Sequence, residues 1–209
     1  MRILLIRSLI ASLGVLLIVP ATSIGAPACT IRGTAGDDVL TGTAGNDVIC
    51  AGDGNDVVRG KAGNDIIRAG NGRDVVHGDK GDDRIYGGRR ADELYGDEGN
   101  DVVAGQQGRD RLRGYLGNDR LVGGPGNDRL FGGAGADVLR AGRGADVARG
   151  GIDDDRIVGG SGGDRMIGWG GDDTINGVDG VEGNDEVLGS NGTDTCTADP
   201  NDIVRRCEP

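Results

Sequence analysis

From Gly33 onward the chain repeats a nine-residue pattern in which small and polar residues fill six places and a short β-branched run fills three. The first rows read GTAGDDVLT, GTAGNDVIC, AGDGNDVVR, GKAGNDIIR, AGNGRDVVH and GDKGDDRIY, and sixteen rows run without an insertion to Asn176. Gly177-Val178-Asp179 interrupts them, and two further rows, GVEGNDEVL and GSNGTDTCT, end at Thr197. Position 6 is Asp in all eighteen rows, position 4 is Gly in sixteen, position 1 is Gly in fifteen and Ala in three, and position 8 is aliphatic or Met in seventeen. The first six positions have the vocabulary of a tight turn with positive φ. Positions 7 to 9 predict a three-residue strand with an apolar centre. A turn and a strand in nine residues carry the chain to its opposite side, so eighteen residues complete a coil, and residues i and i+18 stack about 4.8 Å apart.

The pattern therefore predicts an all-β fold, a parallel β-roll or β-helix solenoid with two nonapeptides per coil. Position 8 points inward from two facing sheets, with Leu40, Val58, Val76 and Leu94 in the first and Ile49, Ile67, Ile85 and Val103 in the second. One apolar residue in nine is too thin a core to hold the roll alone. The same stacking sets Asp38 over Asp56 and Asp47 over Asp65, and like charges about 5 Å apart repel by about 0.8 kcal/mol even in water. A hard divalent cation between stacked turns cancels that repulsion. Ca²⁺ suits the task because it accepts six or more oxygen ligands in flexible geometry, whereas Mg²⁺ requires a tighter octahedron. The bland alternative is that the carboxylates cap turns and the roll folds metal-free.

The row pattern resembles G-G-x-G-x-D-x-U-x, the RTX or haemolysin-type calcium-binding nonapeptide. The resemblance extends over nearly all of residues 33–197. It implies that calcium sits between turns, held by turn carbonyls and by the position 6 aspartates. Those are Asp38, Asp47, Asp56, Asp65, Asp74, Asp83, Asp92, Asp101, Asp110, Asp119, Asp128, Asp137, Asp146, Asp155, Asp164 and Asp173, then Asp185 and Asp194. Two rows depart from the pattern, with Arg90 and Asp153 in place of Gly at position 4. If that position needs positive φ, both turns are strained and the sites of Asp92 and Asp155 are the least secure. Ala148 thins the core at its position 8, and Cys196 at the same position marks the end of the roll.

Composition sharpens this picture. The 209 residues carry 34 acidic and 23 basic side chains, a net charge of −11, with 44 glycines. After Ala28, Leu, Ile, Val and Phe make up 35 of 181 residues, 19%, a proportion that by itself reads as disorder. Such a chain lacks the apolar residues of a conventional enzyme core. Its acidity argues against nucleic acid or an anionic membrane as partner, because phosphate binding needs a basic patch.

At the N-terminus, Arg2 and Arg7 precede the apolar run Leu9–Val19 and the small residues Ala26-Pro27-Ala28. This is the layout of a cleavable secretory signal peptide over residues 1–28, since the apolar run is too short to span a bilayer that needs about 20 residues. The expected location is extracellular; lipidation of Cys29 is the alternative use of the new N-terminus. Four cysteines in an exported chain suggest two disulfides. Of three formal connectivities, only Cys29–Cys50 with Cys196–Cys207 avoids bridging a long rigid body. Residues 29–32 would then form an N-terminal cap and 198–209 a disulfide-closed C-terminal cap.

If positions 7 and 9 point outward, the first sheet presents Thr41, Arg59, His77, Tyr95, Arg113, Phe131, Arg149 and Ile167 in one column, with Arg111, Arg129 and Arg165 beside it. Such a face could hold an acidic polysaccharide or cell wall through Arg111, Arg113 and Arg129. The alternative is that arginine stems and rings merely cover a small sheet while their charge stays solvated. Tyr115 and Trp169, at position 2, read as local turn caps. The single histidine, His77, falls at a surface strand position rather than beside a nucleophile. The expected function is that of a secreted, non-enzymatic calcium-binding protein that folds on Ca²⁺ and acts in structure or adhesion. The second reading is a non-catalytic relative of an RTX enzyme or toxin.

Overall fold

The computed structural model describes residues 27–181 and 184–207. The predicted leader therefore lies outside the described residues except for Pro27 and Ala28. The chain winds into a stack of short parallel strands forming two ten-stranded sheets, one from the odd-numbered and one from the even-numbered strands in chain order. Successive strands alternate between the sheets, and before the interruption each pairs with strands eighteen residues away, as in Val58↔Val76↔Leu94 and Ile49↔Ile67↔Ile85. No helix among the described residues is long and apolar enough to cross a membrane.

Position 8 forms the core as the periodicity requires. Val58, Val76, Leu94, Leu112, Leu121, Leu139 and Ile157 are wholly buried. Position 1 joins them, with Ala51, Ala69 and Ala141 also fully buried. The interior is thus a narrow seam of aliphatic side chains between two backbones.

The strands are longer than the three residues expected. Most span six, such as Val57–Ala62 and Arg120–Pro125, so positions 1 to 3 continue the ladder and only positions 4 to 6 make the corner. The physical reason lies at position 2, where the backbone takes positive φ without leaving the strand. In the second sheet that position is mostly glycine, as at Gly52, Gly70 and Gly88, with φ of 118°, 115° and 122°. In the first sheet it carries Lys61, Asp79, Asp97, Tyr115 and Trp169, with φ between 71° and 88°. Tyr115 and Trp169 are accordingly exposed strand residues on the sheet face, and Trp169 meets Phe131 edge-on at 5.8 Å. At position 4, Arg90 and Asp153 both sit at φ 79°, the left-handed region where non-glycine residues cost about 1–2 kcal/mol.

Both ends hold additional rungs. Ile31–Arg32 pairs with Val48–Asp53 before the first row, and Ile203–Arg205 pairs with Glu186–Asn191 after the last. Disulfides Cys29–Cys50 and Cys196–Cys207 fasten these two rungs, with the expected pairing. The three extra residues at 177–179 are absorbed at one corner. Asp179 accepts the Gly162 amide at 3.0 Å, while Asp199 accepts the amides of Asp179 and Gly180 at 2.8 and 2.6 Å.

Leu121→Ala, in the middle of the seam, should cost about 2–5 kcal/mol, seen as a lower chemical-denaturation midpoint. Leu116→Ala, 57% exposed on the outer face, should change stability by less than about 0.5 kcal/mol.

Candidate metal centre

The position 6 aspartates close each corner and turn their carboxylates inward. From Asp47 to Asp194 all are buried, none more than 7% exposed, and Asp38 at the open first coil is half-buried. Their alignment follows from the repeat length, because each corner places position 6 directly over its counterpart one coil away. In fourteen successive pairs, from Asp38 with Asp56 to Asp155 with Asp173, the earlier backbone N–H donates to Oδ1 of the later aspartate at 2.7–2.9 Å. The interruption does not break the series: Asp164 donates to Asp185 at 2.8 Å and Asp173 to Asp194 at 3.0 Å, twenty-one residues apart.

One oxygen of each carboxylate therefore caps the neighbouring coil. The other has a different fate. Oδ2 of Asp38 and Asp47 accepts the amide and hydroxyl of Thr34 and Thr43 at 2.6–3.0 Å. In the sixteen aspartates from Asp56 to Asp194 Oδ2 is buried with no hydrogen-bond partner. A buried unpaired carboxylate oxygen is costly, and the titration behaviour reflects this. Burial, opposed by the Oδ1 hydrogen bond and assisted by neighbouring carboxylates, pushes Asp83, Asp119 and Asp128 up to about 7. Asp92 and Asp155, in the two rows lacking the position 4 glycine, rise to about 8 for the same leading cause. Asp47, whose Oδ2 is satisfied by the Thr43 amide, is instead lowered.

Position 1 explains what space the free oxygens face. A methyl group added to Gly87 would stand 2.5 Å from Asp92 Oδ2 and 2.8 Å from the Gly105 carbonyl oxygen of the next coil. Glycine thus leaves room beside a carboxylate oxygen and a carbonyl oxygen, the hard donor pair suited to Ca²⁺. Orphaned anionic oxygens, a neighbouring carbonyl and a cradle that a Cβ would fill together fit a hard divalent cation. Ala51, Ala69 and Ala141 place methyl groups at this position in the rows of Asp56, Asp74 and Asp146.

The sequence pattern missed one member of the series. Asp202 Oδ1 accepts the amides of Asn184 and Asp185 at 3.0 and 3.2 Å, and Ile203 N–H donates to the Asp185 carbonyl at 2.9 Å, as position 7 does elsewhere. The signal was present in Asn201-Asp202-Ile203-Val204, which repeats the N-D-V-I of Asn46–Ile49. A second, exposed series runs along position 5, where Asn64, Asp82, Asn100 and Asn118 each donate a backbone N–H to the Oδ1 one coil back at 2.9–3.1 Å.

A sequence profile of the family described as RTX calcium-binding nonapeptide repeat matches residues 30–58, 51–85, 77–112, 113–148, 149–181 and 178–202. No curated protein matches this chain.

A carboxyl whose folded pKa lies above its unfolded value holds its proton more tightly in the roll. The corresponding stability is full below about pH 4 and is lost as pH rises through the raised values of about 6 to 8. In chelator, the β-sheet circular dichroism signal should therefore persist at pH 4 and collapse towards pH 8; a metal-free signal that strengthens with pH would contradict the raised values.

Proposed function

Because this chain belongs to the RTX calcium-binding nonapeptide repeat family, we propose that it is an exported protein that folds by taking up Ca²⁺ between its coils and serves outside the cell in structure or adhesion. The observation that carries this reading is the row of sixteen buried carboxylate oxygens without partners. The position 6 aspartates from Asp38 to Asp194 are the proposed ligands, with turn carbonyls completing the oxygen set. Calcium bound between them supplies the positive charge that the interior lacks. The chain's own contribution is to align the carboxylates through the Oδ1 hydrogen bonds and to leave Oδ2 free at glycine-lined corners.

Folding is then coupled to secretion. Ligand binding to the folded state alone stabilises by RT ln(1 + [L]/Kd), about 1.4 kcal/mol per site at ten times Kd, accumulated over many sites. A chain poor in free calcium before export remains unfolded, and one meeting millimolar calcium outside rolls up. The leader at 1–28 and the two disulfides support this route. We further propose that the protein acts without catalysis.

For the adhesive role, the partner we propose is an acidic polysaccharide of the cell wall or matrix. The outer face of the first sheet holds an open groove of about 570 Å³ lined by Arg111, Arg113, Arg129, Arg149 and Arg165 with Phe131. Arg111 and Arg165 are paired with Glu93 and Glu186 at 2.5 and 3.1 Å. Arg113 lies 5.7 Å over the Tyr95 ring, while Arg129 and Arg149 make no ion pair among the described residues.

Two outcomes check these roles. Calcium added at pH 7.5 to the chelated mature protein should produce a β-sheet spectrum and a calorimetric stoichiometry of many ions per chain, and an unchanged spectrum would remove the folding role. Replacing Arg111, Arg113 and Arg129 together by Ser should abolish retention on a uronic-acid polysaccharide column while calcium uptake stays the same. Equal retention of that variant would remove the glycan partner.

A further inference from the structure

Away from the aspartate corners, the outer face of the first sheet brings the chain's only histidine against two carboxylates. His77 and Asp79 lie on the strand Val75–Lys80 and Asp97 on its neighbour Glu93–Glu98, in a register that sets His77 opposite Tyr95 and Asp79 opposite Asp97. One potential ligand atom from each of the three residues lies within 4.8 Å of the other two. His77 Nδ1 is 2.9 Å from Asp97 Oδ2, and Tyr95 stacks on the imidazole at 4.5 Å and 16°, which fixes the plane of the ring. We propose that His77, Asp79 and Asp97 form a binding site for a divalent transition metal of the zinc class, distinct from the position 6 aspartates.

The placement is one that the sheet alone does not favour. Two carboxylates directly opposite on paired strands repel each other. The Asp79 carboxylate has no hydrogen-bond or ion-pair partner among the described residues. Both aspartates also occupy position 2 at φ 71° and 76°, where the second sheet uses glycine at Gly70, Gly88 and Gly124. Of the cations nearby, Lys80 is engaged with Glu98 at 3.2 Å, while Arg59 and Lys61 stand opposite His77 and Asp79 on the next strand without an ion pair. Tyr115 stands opposite Asp97 on the other side.

Donor chemistry sets the class of metal. An imidazole nitrogen with two carboxylates suits zinc and its first-row neighbours, whereas calcium takes oxygens alone. Three protein ligands leave a further position for water. The site stands on the sheet face and does not depend on calcium at the corners.

Because His77 is the only histidine, its ring reports the site without ambiguity. Tag-free, calcium-saturated protein titrated with Zn²⁺ should bind one equivalent with displacement of the His77 ring ¹⁵N resonances. His77→Gln and Asp97→Asn should each lose that equivalent with unaltered circular dichroism and calcium uptake. Ring resonances that stay in place during the titration, or equal zinc uptake by the wild type and His77→Gln, would overturn the proposal. The ring measurement decides the matter even if a variant fails to fold, and calcium uptake measured alongside tests the corner sites separately.

Discussion

Every coil of this roll depends on a carboxylate shared between two levels. Oδ1 of a position 6 aspartate holds the backbone of the coil before it, while Oδ2 of the same group lies buried and unanswered in most rows. The first contact fixes the eighteen-residue register. The second leaves negative charge inside a structure whose apolar seam is one side chain deep on each sheet. The same residue is therefore both the fastener of the fold and the source of its demand for cations. Capping can satisfy a carboxylate at both oxygens, as Thr30 at Oδ1 and Thr43 at Oδ2 do for Asp47, and the sixteen aspartates from Asp56 to Asp194 lack that second partner.

Much of this was legible in the sequence because a solenoid has one local rule. Asp at every position 6 and an aliphatic residue at position 8 fix the period, the two sheets, the inward faces and the stacking of aspartates. The cysteine pairs were legible too, since a long stack separates them. What escaped was backbone detail that side-chain chemistry does not advertise. Positive φ at position 2 could not be read from Lys61, Asp97 or Trp169, which ordinarily avoid it, so the strands came out too short. Asp202 escaped because its row has lost the glycines and retains only the Asn-Asp-Ile-Val stretch. Nor does spacing say which carboxylate oxygen meets an amide, and that division between Oδ1 and Oδ2 is what gives the corners their chemistry.

The two faces of the roll are chemically unequal, and the difference arises at position 2. Glycine there leaves the second sheet with bare backbone between its side-chain rows, while the first sheet accepts strained conformations to present rings, acids and bases. His77, Tyr95, Arg113 and Tyr115 consequently form a connected layer, with Arg113 donating to the Tyr115 hydroxyl at 3.2 Å and the Tyr95 and Tyr115 rings 6.1 Å apart.

The alternation of consecutive nonapeptides between sheets also governs how such a gene can change length. Loss or duplication of eighteen residues removes or adds a whole turn and leaves every downstream side chain on its own face. A change of nine shifts all that follows to the opposite side, carrying the arginine groove across and parting Asp79 from Asp97 if it falls between them. Changes of two repeats thus preserve which face each side chain occupies, and changes of one do not.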